Sequence, residues 1–218
     1  MRVTAAFNPR GTSGSGKTTI VRAILDVSGA TPYKLHRNKV RMYRGEFQGV
    51  ELFVLGDYRG QCGGCDTIQP YADILPLISY VMERTEPSLL VYEGLLISHS
   101  LGTIGELVKP YGRRHIMAFL DTPLNVCLDR VKSRRLERGQ LAPLNPANTT
   151  KDHGSVARCK ERAQAQGFTV RTIRHDESIS QSLEILSGLS QYVKSAVLDS
   201  GARKDPGTEG LWGSPPVD

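Results

Sequence analysis

The chain has 218 residues, is 39% hydrophobic and carries a formal net charge of +6. That length suits one domain with a sizeable core, with or without a tail. No apolar run is long enough to span a bilayer, and residues 1–9 are too short and too broken by Pro9 for a leader, so a soluble cytosolic protein is expected. The four cysteines, Cys62, Cys65, Cys127 and Cys159, are expected to stay reduced there. Cys62-Gly63-Gly64-Cys65 has half a zinc-ribbon spacing and lacks a second pair nearby. The positive charge favours an anionic partner and gathers in residues 37–44 and 130–138.

In chain order, residues 2–7 read as a strand that ends at Asn8-Pro9. The loop Gly11-Thr12-Ser13-Gly14-Ser15-Gly16-Lys17-Thr18 follows, then Thr19 and a helix with Ile20, Val21, Ile24 and Leu25 on one face. Strand, G-x-x-x-x-G-K-T, helix is a phosphate loop in its proper context. Backbone amides wrap phosphate oxygens, Lys17 supplies a point charge, and the Thr18 hydroxyl suits a magnesium ion. The motif therefore implies ATP and Mg2+.

Residues 39–43 and 50–55 read as two strands flanking Arg44-Gly45-Glu46. A glycine-rich loop over 56–66 follows, then a helix over about 71–84 that Pro76 is expected to kink. The loop holds Asp57, Tyr58, Arg59, Gly63, Gly64 and Asp66. Either acid suits a proton acceptor, Asp66 ahead of Asp57 because Gly63-Gly64 before it allows a tight approach and Thr67-Ile68 after it can anchor a helix, and the aromatic, the arginine and the glycines suit contacts to a substrate. Asp57-Tyr58-Arg59-Gly60 also has the D-x-x-G form of a GTPase, but no N-K-x-D base reader occurs late in the chain.

Residues 88–92 form a buried-strand pattern ending at Glu93, which is placed to hold magnesium directly or through water. Residues 115–120 repeat that pattern, and Ile104, Leu107 and Val108 suggest a helix between the two. Beyond Pro123, Leu124, Cys127, Leu128 and Val131 mark the buried face of a helix. Its other face carries Arg130, Arg134 and Arg138 at four-residue spacing, a stripe able to clamp a transferring phosphoryl group. Residues 141–153 read as a loop, 155–166 as a helix, 168–173 as a strand, and 179–197 as an amphipathic helix. No internal repeat is found. The fold class expected is α/β: a phosphate-loop NTPase fold with a mostly parallel sheet flanked by helices, over residues 1–199. Residues 200–218 are expected to form a disordered tail.

The strand ending in Asp121, the helix bearing Arg130 and Arg134, and the phosphate loop together resemble thymidylate-kinase-like kinases. With the loop over 56–66 added, about residues 1–195 resemble the 5-hydroxymethyluracil DNA kinases of phages. The resemblance implies phosphorylation of the hydroxymethyl group of 5-hydroxymethyl-deoxyuridine in DNA, a step in thymidine hypermodification, in the cytoplasm of an infected bacterium. A free deoxynucleoside or nucleoside-monophosphate kinase would need the same donor site. An ATP-driven binding switch is the reading from another class.

Overall fold

The computed structural model describes residues 3–99 and 101–202. Seven strands make one sheet in the order β2-β3-β4-β5-β1-β6-β7. β1 (Thr4–Arg10), β4 (Val50–Leu55), β5 (Ser88–Val91), β6 (His115–Leu120) and β7 (Thr169–Ile173) run parallel; helical crossovers join β4 to β5, β5 to β6 and β6 to β7, whereas β1 reaches β4 through a helix and a hairpin. β2 (Thr31–His36) and β3 (Lys39–Phe47) extend that parallel core as an antiparallel hairpin on the β4 edge.

Both sheet faces are covered, which is why β5 reads as an unbroken apolar run. On one face α1 (Lys17–Val27) and α7 (Ser178–Ala202) bury Ile20, Val21 and Ile24, and Leu186, Leu189 and Val193. On the other, α2 (Ile74–Met82), α3 (Leu95–His99), α4 (Gly102–Val108) and α6 (Ala147–Ala165) pack Ile78, Ile97, Ile104 and Cys159 against Phe53, Leu90 and Met117. α5 (Leu124–Glu137) follows β6 and buries Cys127 and Val131. No helix among the described residues is long and apolar enough to cross a membrane.

Several sequence expectations need correction. β1 does not stop at Asn8-Pro9 but runs to Arg10, pairing Pro9 with Ala118. Phe7 accepts a bond from the Tyr92 amide at 3.3 Å, so by alternation the nitrogen of Pro9 also faces the β5 side, where β5 has already ended. The proline therefore removes no sheet bond.

The hairpin turn lies at Gln48-Gly49, both with positive φ, and Arg44-Gly45-Glu46 is continuous strand. Gly45 is glycine for another reason: a Cβ there would lie 2.7 Å from Ala30 Cα and from Ser28 O. Pro76 causes no kink because it falls in the first turn of α2, where its missing N–H has no intrahelical partner to lose. α6 begins at Ala147 rather than near 155, and β2 and α3 carry no pattern that the sequence reading detected. α7 continues to Ala202, and the expected tail beyond it lies outside the described residues.

Candidate active site

The parallel strands deliver the site at their carboxyl ends, as open α/β sheets do. β1 leads into the phosphate loop and α1; β5 ends one residue before Tyr92-Glu93; β6 leads through Thr122 to α5. Between them opens a cavity of about 440 Å3 lined on one side by Ser13, Gly14, Gly16, Lys17, Thr18 and Thr19. The other walls are Glu93 and Leu95, Gln61, Cys62, Gly63 and Asp66, Arg130 and Arg134, with Arg22 and Ser178 at the margin.

Lys17 is buried and donates to Gly11 O at 2.8 Å and Thr12 O at 3.1 Å, which leaves a further N–H of the ammonium for a phosphate. Burial lowers its pKa, and the nearby Glu93 and Asp66 charges oppose that shift. The Thr18 hydroxyl donates to Glu93 Oε1 at 3.1 Å. Glu93 is 1% exposed, and its pKa is pushed up to about 7 by burial, with Lys17 pulling it down and Asp66 adding to the rise. Hydroxyl, buried carboxylate and a second acid in one pocket form an all-oxygen donor set of the kind magnesium takes.

The glycine-rich loop is folded onto this carboxylate. Gly64 has φ +83°, and a Cβ on it would lie 2.6 Å from Glu93 Oε1. The Cys65 amide donates to Glu93 O at 2.7 Å. The next residue, Asp66, accepts from the Leu95 amide at 2.7 Å, which holds its carboxylate at the start of α3 facing the phosphate loop.

Other members of the loop are placed elsewhere. Asp57 does not line the cavity. It pairs with Arg59 at 2.7 Å, and the hydrogen bond from Arg59 holds its carboxyl below the usual range, which makes it a poor proton acceptor. Tyr58 offers no stacking surface: it is 5% exposed and packs edge-on against Tyr43 in the core. Arg59 also donates to Asn38 O at 3.2 Å, away from the phosphate loop. Asp57, Tyr58 and Arg59 thus build the loop's base, and Gly63 and Asp66 form its cavity face.

The arginine stripe divides in the same way. Arg130 donates to Gly14 O at 3.2 Å, and it and Arg134 stand over the phosphate loop. Arg138 lies beyond the end of α5 and is engaged by Gln61 Oε1 and, at 3.2 Å, by Cys62 Sγ, so it steadies the loop rather than lining the cavity. Sequence reading missed Arg22, whose guanidinium donates to the Tyr58 and Gly60 carbonyls and pins the glycine-rich loop to α1. Its signal was helical spacing: Arg22 follows Thr18 by one turn and so shares its face.

Amides and fixed cations on one wall, and acids beside a loop on the other, are the parts phosphoryl transfer requires. The solved structure of a gluconokinase from Sinorhizobium meliloti 1021 superposes with a TM-score of 0.50 at 13% identity, covering 92% of this chain and 99% of that one. At that identity the likeness concerns the fold. The 5-hmdU DNA kinase of Pseudomonas phage PaMx11 is 36% identical over 187 residues, covering 82% of this chain and 96% of the relative. The 5-hmdU DNA kinase of Pseudomonas phage M6 is 27% identical over 188 residues, covering 84% of this chain and 98% of the relative. The family model described as 5-hmdU DNA kinase matches residues 3–146, a span that contains the phosphate loop, Glu93 and the α5 arginines. With that match and these relatives, the chain belongs to the 5-hmdU DNA kinase family.

Proposed function

We infer that this chain transfers the γ-phosphoryl group of ATP to the hydroxymethyl oxygen of 5-hydroxymethyluracil in DNA, with Mg2+ at Thr18 and Glu93. The observation that carries the reading is the single cavity in which the phosphate loop faces Asp66 and Glu93 beneath Arg130 and Arg134, in a chain of this family.

ATP supplies the phosphoryl group and Mg2+ screens its charge. The residues do the rest. Loop amides and Lys17 hold the phosphates, Thr18 and Glu93 provide oxygen ligands, and Arg130 and Arg134 neutralise the charge that gathers on the phosphoryl oxygens. Asp66 accepts the proton of the hydroxymethyl group as its oxygen bonds to phosphorus and the bond to ADP breaks. Leu95 N–H fixes one Asp66 oxygen at 2.7 Å and leaves the other for that proton.

The test is incubation with γ-labelled ATP and an oligonucleotide containing hydroxymethyluracil, then digestion to nucleosides. The label is expected on the modified base. Label on the free nucleoside in preference to DNA would replace this reading with a small-molecule kinase, and ATP hydrolysis without a labelled acceptor would replace it with a switch.

A further inference from the structure

The β2–β3 hairpin lies outside the five parallel strands that build the site, and no step of phosphoryl transfer uses it. β2 is exposed along its whole length and pairs only with β3, at the sheet edge. Its tip, Arg37-Asn38, is a tight turn with φ 48° and 62°. Charged residues on an exposed strand ordinarily serve to keep edges from pairing. Here they do something more ordered. His36, Arg37, Lys39 and Arg41 form one side of a cleft of about 380 Å3, and residues 67–70 form the other.

The cleft is built rather than incidental. Arg41 crosses it to Asp73 at 2.7 Å and to Gln69 O at 2.9 Å, and Arg59 ties Asn38 O to the glycine-rich loop at 3.2 Å. Those cations are spent on holding the walls together. Arg37 and Lys39 are not: both are exposed, and among the described residues neither takes part in an ion pair. One stretch of chain walls both: Asp66 lines the active cavity, and the next residue, Thr67, lines the cleft.

We propose that the hairpin tip holds the phosphate backbone of the DNA strand beside the nucleotide whose base lies in the cavity, with Arg37 and Lys39 as its phosphate contacts. The proposal rests on the DNA-kinase reading for its substrate. It explains how a phosphate-loop kinase would accept a base still joined to a polymer: the strand leaves the cavity past the Asp66-Thr67 segment and meets the unpaired charge of the hairpin tip.

The test compares wild type with Arg37→Asn/Lys39→Gln. Asparagine tolerates the left-handed φ at 37, and affinity for a non-hydrolysable ATP analogue, bound away from the hairpin, verifies that the variant is folded. Binding of an unmodified single-stranded oligonucleotide is measured over a salt series, and phosphorylation of the hydroxymethyluracil oligonucleotide and of the modified mononucleotide at one salt. The variant is expected to raise the oligonucleotide KM by about tenfold or more, to leave kcat at saturation and the mononucleotide unchanged, and to flatten the salt slope by about 1.4, at roughly 0.7 for each phosphate no longer neutralised. Equal affinity and equal slopes for the two proteins would overturn the proposal. Equal weakening of mononucleotide and oligonucleotide would also overturn it, because the cleft would then seat a single terminal phosphate. If wild type binds DNA through the hairpin yet labels no acceptor, the reaction assigned above fails and the hairpin assignment stands.

Discussion

Glu93 shows how burial converts an ordinary carboxylate into a controlled one. A glutamate in water loses its proton near pH 4.5, whereas burial beneath Gly64 and beside Asp66 raises Glu93 to about 7. With Glu93 in its proposed role as a metal ligand, only the ionised form would bind Mg2+, so as pH falls through about 7 kcat/KM of the free enzyme should fall, by about tenfold per unit on the acid limb. Metal competes with the proton, so raising Mg2+ should move that limb to lower pH. Glu93→Gln should abolish both the limb and its Mg2+ dependence; a limb that persists in this variant assigns it to another group. Asp66 and Asp57 separate as cleanly. Asp66→Asn removes the proposed acceptor on the cavity wall and should lower kcat about a hundredfold or more with DNA affinity little changed. Asp57→Asn breaks the ion pair with Arg59 and loosens the backbone hydrogen bonds that Asp57 accepts from Arg59 and Val40, so its effect should appear in thermal stability and not in kcat. Interchanged results would move the proton acceptor to Asp57.

At the scale of elements, the four-residue spacing of the α5 arginines gave the shared face but not the division of labour along it. α5 buries Cys127 and Val131, which turns Arg130 and Arg134 to the phosphate loop. One turn further on, the helix has passed the cavity, and Arg138 meets Gln61 and Cys62 of the glycine-rich loop instead. Arg130→Ala and Arg134→Ala should therefore each cost about a hundredfold or more in kcat, the scale of a lost transition-state contact. Arg138→Ala should act on the loop and chiefly raise KM for the acceptor. Steady-state kinetics on the modified oligonucleotide checks the contrast, and an Arg138→Ala defect confined to kcat would return that residue to the clamp.

Across the whole molecule, the sheet also stores a pH dependence far from the cavity. His115, at the start of β6, is 2% exposed, shares a 2.7 Å hydrogen bond with Tyr92 Oη, and is held at a pKa of about 3, mainly by burial and further by Arg10. The unfolded chain takes up a proton at this histidine below its ordinary pKa of 6.5, and the folded chain refuses it. Its contribution to stability is thus complete above that pH and declines as pH falls toward 3, by about 1.4 kcal/mol per unit. Urea unfolding of wild type and His115→Gln across that window should show the variant losing less stability on acidification, and parallel curves would mean that His115 is solvated. The sequence by itself determined the phosphate loop, the parallel α/β class and the acid at the end of β5, because each depends on short-range signals: glycine spacing, apolar runs and the strand-to-helix order around them. It could not assign Arg44-Gly45-Glu46, since a glycine required by the close approach of Ala30 looks the same in sequence as one required by a turn. Nor could it see β2, whose residues are all exposed and carry no burial period, or the start of α6, whose first turns are mostly polar. The acids of the glycine-rich loop could be ranked from their neighbours, Asp66 before Asp57, but which of them lines the cavity is decided by packing. Packing around the loop decides that outcome: Arg59 occupies Asp57, the core takes Tyr58, and the α3 amide, 29 residues on, holds Asp66 at the cavity that the phosphate loop lines.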